Sequence, residues 1–309
     1  METVKHVPVL FDAVMATLQP RPGGRYLDCT VGSGGHAAGL LQRCAPEGRV
    51  LATDADPTAI ARVRARFGDH PCLTLRQCWL DEVPALVEAL GFAPLDGVLI
   101  DLGLSSDQLE DATRGFSFQR EGPLDMRFDP TQGMPAWAWL DRVDRVVLAR
   151  VLREYGEVPN ATRVAEAIWR ARPIRTTAQL RDAVSAVMRM RRRRIHPATQ
   201  VFQALRIAIN DELRRLREAL PALMALLAPG GRIAVIAFHS LEDRIVKQVF
   251  RAATRSAAFD YGVAPMAQFR LITRKPITPS PQEIAANPRA RSARLRVAER
   301  VPVLQEEAR

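Results

Sequence analysis

The chain has 309 residues, 47% hydrophobic and 25% charged, an ordinary globular composition that excludes a disordered or fibrous protein. Lys and Arg number 44 against 34 Asp and Glu, a formal net charge of +10. That excess fits a polyanionic partner such as nucleic acid, and equally an Arg-rich codon bias, since only Lys5, Lys247 and Lys275 are lysines. No apolar run approaches the roughly 20 residues of a membrane helix, and Met1 to Leu10 does not read as a signal peptide. The expected location is the cytoplasm, with no membrane association.

In chain order, Arg25 to Thr30 predicts a first strand, followed by a glycine cluster and a helical stretch through Gln42. Arg49 to Asp54 predicts a second strand and Pro57 to Phe67 a helix. Leu73 to Cys78 reads as a third strand, Pro84 to Leu90 as a helix, and Gly97 to Leu102 as a fourth strand. Apolar runs alternating with helices predict an α/β fold, a parallel sheet covered on both faces. Glu110 to Gly133, rich in Gly, Pro, Asp and Arg, reads as a long ordered loop, and the pattern from Ala136 to Met190 is helical throughout. Thr176 with Gln179 fits a capping box, and Asn160 a helix cap. Thr199 to Leu227 reads as one long helix that Pro221 bends or divides. Strand signal returns at Arg232 to Phe238 after the turn Pro229-Gly230-Gly231, then at Phe269 to Arg274 and Ala293 to Glu299. The expected organisation is a core in two parts, 1–110 and 199–309, around an all-helical insertion, 111–198, given to substrate recognition. Cys29, Cys44, Cys72 and Cys78 form no C-x-x-C pair, so no metal site is expected.

The loop after the first strand runs Asp28-Cys29-Thr30-Val31-Gly32-Ser33-Gly34-Gly35-His36. Its glycines let the backbone approach a ligand, and the helix that follows offers free N–H groups. Asp54, about 20 residues on, suits the two hydroxyls of a ribose. Together they point to an adenosine-containing cofactor. Gly32, Gly34 and Ala37 satisfy G-x-G-x-x-A, which keeps a nicotinamide dinucleotide and an oxidoreductase as alternatives. The loop as a whole resembles the first motif of S-adenosylmethionine-dependent methyltransferases.

Further motifs narrow the resemblance. Lys5-His6-Val7-Pro8-Val9-Leu10, Gly32 to His36 and Asp101-Leu102-Gly103-Leu104-Ser105-Ser106 are similar to signatures of the bacterial 16S ribosomal RNA cytosine-N4 methyltransferase family. So are Arg114 to Phe118, Gly122 to Arg127, His196 to Thr199 with Phe202 to Ala204, Phe238 to Lys247, and Asn287 to Ser292. The resemblance spans nearly the whole chain. It implies a class I S-adenosylmethionine-dependent methyltransferase core, and methylation of cytosine N4 at nucleotide 1402 of 16S ribosomal RNA in the small ribosomal subunit. Carried over by position, it implies cofactor contacts at Gly34, Gly35, His36, Asp54, Asp101 and Gln108. Trp79 stands where the family typically has Phe, either as an adenine contact or as a core aromatic.

Cytosine N4 is a weak nucleophile, so an acceptor for one of its hydrogens would assist transfer of the methyl group. Asp101 and Ser105 are the candidates for that catalytic role, with no covalent intermediate. A target base must be unstacked, which calls for an aromatic or Arg platform. Phe116, Phe118, Phe238 and His239 are candidate substrate contacts, although the two loop phenylalanines equally suit pinning the insertion. Arg191, Arg192 and Arg193 in the basic run are candidate RNA-backbone contacts. Asp243 and Arg244 read as a pair on a helix surface. A ribosome-assembly factor that binds RNA without catalysis is the other alternative. The oligomeric state stays open, a homodimer included.

Overall fold

Val50, Leu51 and Ala52 are fully buried, as are Val98, Leu99 and Ile100 and Ile233 to Ile236. Such unbroken apolar runs lose water from both faces, which only a sheet covered on both sides provides. The computed structural model describes residues 8–188, 196–254 and 269–302. It forms those runs into β1 (Arg25–Asp28), β2 (Arg49–Asp54), β3 (Leu73–Gln77), β4 (Leu95–Asp101) and β5 (Leu227–Ala237), joined later by β6 (Phe269–Leu271) and β7 (Arg294–Arg300). The strand order is β3-β2-β1-β4-β5-β7-β6.

β1 to β5 pair in parallel, while β7 runs antiparallel to both β5 and β6. This is the class I methyltransferase core expected from the sequence. It departs from the dinucleotide-binding order 3-2-1-4-5-6, because an antiparallel strand separates β5 from β6. One face packs Tyr26, Val50, Ala52, Leu99, Ala234 and Ile236 against the helices Phe11–Leu18 and Gly35–Cys44. Leu27, Leu51, Val98, Ile100 and Val235 alternate onto the other face and are equally buried.

Two local expectations differ from the structure. Pro229-Gly230-Gly231 lies inside β5, not ahead of it. Pairing starts with Leu227 opposite Leu95, shifts register, and resumes with Arg232 opposite Gly97, so the extra residues are absorbed as a bulge. The helical run after residue 196 breaks at Asp211, not at Pro221. Asp211 takes the left-handed conformation, φ 54°, between the helices Pro197–Asn210 and Glu212–Ala225. Asp tolerates that conformation better than most residues. Pro221 sits inside the second helix, whose Leu216, Leu220 and Leu223 are buried and hold the turn through it.

The chain divides into two compact units, one made of residues up to Gly103 and from Leu213 onward, the other of Leu104–Glu212. The second unit is helical, with Leu140, Leu148, Leu152, Val164, Ile168 and Leu180 in its core. Val201 and Leu205 also belong to that core, and the partly buried Leu104 and Leu109 pack against it, so the unit takes in residues on both sides of the predicted 111–198. Thr176 and Gln179 form the predicted capping box; Asn160 is a cap residue without a side-chain cap bond.

Candidate active site

The glycine loop leads from the end of β1 into the helix Gly35–Cys44. Gly34 caps that helix with φ 79°, and a Cβ there would lie 3.0 Å from Phe67 and 3.2 Å from Val63, so only glycine fits without strain. Asp54, at the end of β2, holds the loop with both carboxylate oxygens. Oδ2 accepts the Gly32 N–H at 2.9 Å and Oδ1 accepts the Asp56 N–H at 2.9 Å. Arg66 donates to the Ser33 carbonyl at 2.8 Å.

Acids gather at the ends of β1 and β4. Asp28 is buried; its Oδ1 accepts the Thr30 N–H at 3.2 Å, while Oδ2 has no hydrogen-bond partner among the described residues. Burial pushes its carboxyl up to about 7, with the Asp54 charge adding to the rise. Asp101 donates its backbone N–H to Thr30 Oγ1 at 2.7 Å. Its Oδ1 is also without a partner there, and Oδ2 lies 3.7 Å from His36 Nε2. Burial, then the charges of Asp28 and Glu242, hold the Asp101 carboxyl well above the ordinary range. His36 is buried, and burial pushes it down to about 4 against a smaller opposing effect of the Val9 backbone, so the ring is neutral. It stacks on Phe11 at 5.9 Å.

The other expected residues divide between the two units. Trp79 follows β3, and its ring is covered by the Arg215 guanidinium at 4.1 Å. Phe238 lies partly buried just past β5, packed against the sheet core. His239 caps the helix Ser240–Ala253: its Nδ1 accepts the Glu242 N–H at 3.4 Å, and Glu242 Oε2 accepts the N–H groups of Phe238 and His239. In the helical unit, Ser105 and Gln108 form a capping box at the start of the helix Ser106–Glu110. Ser105 Oγ accepts the Gln108 N–H at 3.2 Å, and Gln108 Oε1 accepts the Ser105 N–H at 3.0 Å.

Phe116 is buried in the core of the helical unit, 5.6 Å from Phe128. Phe118 packs on His196 at 4.8 Å and on Phe202 at 5.3 Å. Arg191, Arg192 and Arg193 lie outside the described residues. The expected Asp243–Arg244 surface pair does not describe Asp243: its carboxylate is bound by Arg296 Nε at 2.7 Å and Arg294 Nη1 at 3.2 Å, both on β7. Sequence reasoning missed Thr30, Glu242 and Arg215. The first two had a local signal, a hydroxyl inside the loop and an acid three residues after a possible cap, hidden because the cap is His and not Ser or Thr.

The MraW methylase family model matches residues 3–301. The chain belongs to that family. Among its relatives, a ribosomal RNA small subunit methyltransferase H from Thermomicrobium roseum is 51% identical over 306 residues, covering 96% of this chain and 94% of that protein. Proteins of the same name from Halorhodospira halophila and Heliobacterium modesticaldum are 48% and 45% identical, each over 96% of this chain and 94% and 98% of their own lengths. As an MraW methylase, the chain is a methyltransferase, and S-adenosylmethionine is its cofactor. The site suits it. Asp28 Oδ2 and Asp101 Oδ1 are buried oxygens without hydrogen-bond partners among the described residues, and this cofactor brings a sulfonium and an ammonium. Among the described residues no helix is long and apolar enough to cross a membrane, and no His, Cys, Asp or Glu group is arranged to hold a metal.

Proposed function

We propose that the protein methylates the exocyclic N4 amine of a cytosine, nucleotide 1402, in 16S ribosomal RNA of the small ribosomal subunit, in the cytoplasm. The observation that carries this reading is the Oδ1 of Asp101, without a partner among the described residues, at the carboxyl end of β4, beside the glycine loop in the strand order. When bound, the cofactor supplies an electrophilic methyl group on a sulfonium. Gly34, Gly35 and His36 line its approach, Asp54 receives its ribose hydroxyls, and Trp79 lies against its adenine. Gln108 is a further cofactor contact. Asp101 has two tasks, orienting the cofactor and accepting an N4 hydrogen so that the nitrogen lone pair leaves the ring.

Ser105 is the second acceptor in this scheme. Its Oγ already serves the Gln108 N–H and keeps one further lone pair. Transfer is direct and in line, with no covalent intermediate. Cys29 and Cys44 are buried, and burial pushes the half-buried Cys78 thiol up to about 12, so these three are poor nucleophiles. Phe238 and Phe118 keep part of their rings exposed and are the better candidates to stack on the base; the burial of Phe116 favours a pinning role. His239, tied into its capping box, holds Phe238 in place. The helical unit recognises RNA, with Arg191, Arg192 and Arg193 neutralising its backbone.

The test is methyl transfer from labelled S-adenosylmethionine to small ribosomal subunits lacking the modification, followed by nucleoside digestion. N4-methylcytidine at a single site is expected. Label on another nucleoside would overturn the N4 assignment, and cofactor binding without transfer would favour the assembly-factor reading.

A further inference from the structure

Arg215 stands on the first turn of the helix Glu212–Ala225, and its guanidinium carbon lies 4.1 Å from the centroid of the Trp79 ring. Its side chain is 20% exposed. The same guanidinium forms an ion pair with Asp81, two residues beyond Trp79, and Arg214 reaches that carboxylate at 3.4 Å. Glu82 Oε2 accepts the Trp79 backbone N–H at 3.2 Å, and the Asp54 carbonyl accepts the Cys78 N–H at 2.9 Å. The backbone that carries Trp79 is thus anchored next to the ribose acid, while the ring itself is held by a residue 136 positions away in sequence. A planar cation over one indole face fixes the ring's angle and directs any second stacking partner to the opposite face.

We propose that Arg215 is a positioning residue for cofactor binding: it holds the Trp79 indole in the orientation that receives the adenine. The proposal rests on the reading of Trp79 as the adenine contact. An indole already ordered before binding loses less freedom when the adenine arrives, and the usual cost of immobilising one side chain corresponds to a change in affinity of about 5-fold.

The test is a double-mutant cycle on the full chain, with S-adenosylhomocysteine as the probe, its Kd measured by calorimetry and folding checked by thermal unfolding. Arg215→Gln is expected to weaken binding about 5-fold in the native background and to have no further effect in the Trp79→Ala background. Arg215→Lys, which keeps a cation for Asp81 but loses the planar stack, is expected to weaken binding as the Gln variant does; it decides the matter if Arg215→Gln does not fold. Full affinity in Arg215→Lys, or an equal loss in both backgrounds for Arg215→Gln, would overturn the proposal. Full affinity in Trp79→Ala would instead remove the adenine contact on which it rests.

Discussion

Thr30 Oγ1 accepts the backbone N–H of Asp101 at 2.7 Å, so one hydroxyl ties the glycine loop after β1 to the end of β4. Thr30→Val keeps the shape and removes the acceptor. Leaving that partly buried N–H unsatisfied is expected to cost about 1–3 kcal/mol. Urea unfolding should show a lower midpoint with an unchanged slope; an unchanged midpoint would mean that water replaces the hydroxyl.

Asp54 holds the glycine loop with both carboxylate oxygens and is the proposed ribose contact. Asp54→Ala removes the acceptors of the Gly32 and Asp56 N–H groups together with the expected ribose contact. Affinity for S-adenosylhomocysteine should fall at least tenfold, about 1.4 kcal/mol, by calorimetry. Asp54→Asn, which keeps one carbonyl oxygen, should lose less. Equal affinity in all three chains would separate Asp54 from the cofactor.

Asp28 and His36 impose opposite pH dependences on the stability of the ligand-free protein. Burial raises Asp28 from 3.8 to about 7, so its contribution is full below pH 4 and is lost as pH rises through 7. Burial lowers His36 from 6.5 to about 4, so its contribution is full above pH 6.5 and is lost as pH falls through 4. The stability of the native chain relative to Asp28→Asn should therefore decline between pH 4 and 7, and relative to His36→Asn it should climb between pH 4 and 6.5. Urea titrations at half-unit pH steps read both differences. Two flat differences would mean that neither group changes protonation on unfolding.

Arg296 and Asp243 form a two-bond ion pair with each side chain 11% exposed. Burial alone would raise the Asp243 carboxyl, but Arg296 and then Arg294 hold it below the ordinary range. Arg296→Met leaves that charge to the more exposed Arg294 and is expected to cost about 3 kcal/mol. Chemical denaturation measures it. A loss under 0.5 kcal/mol, within the range of exposed pairs, would show that Arg294 suffices.

The sheet was legible in the sequence where signals are local. Val50 to Ala52 and Val98 to Ile100 are strand runs at first sight, and Asp54 is an acid at a strand end. Relationships between distant residues were not. Asp243 meets Arg296 only because β7 lies next to β5 in the sheet, and nothing in the spacing of either residue encodes that neighbour. Arg215 over Trp79 joins a helix to a turn more than a hundred residues earlier. In the sequence Pro221 is the louder breaker, while the Asp211 that ends the helix in the left-handed conformation carries no distinct local mark.

The place of β7 has a consequence for synthesis. β5 pairs with β4 on one side and with β7 on the other, and among the described residues β7 is the last strand to be made. Until residues 294–300 emerge, the outer edge of β5 presents unpaired N–H and C=O groups along a run of buried-type side chains from Ile233 to Ala237. A nascent chain halted before that point offers a sticky edge to its neighbours. When β7 does pair, it covers that edge of β5, and β6 in turn pairs with β7 on the far side.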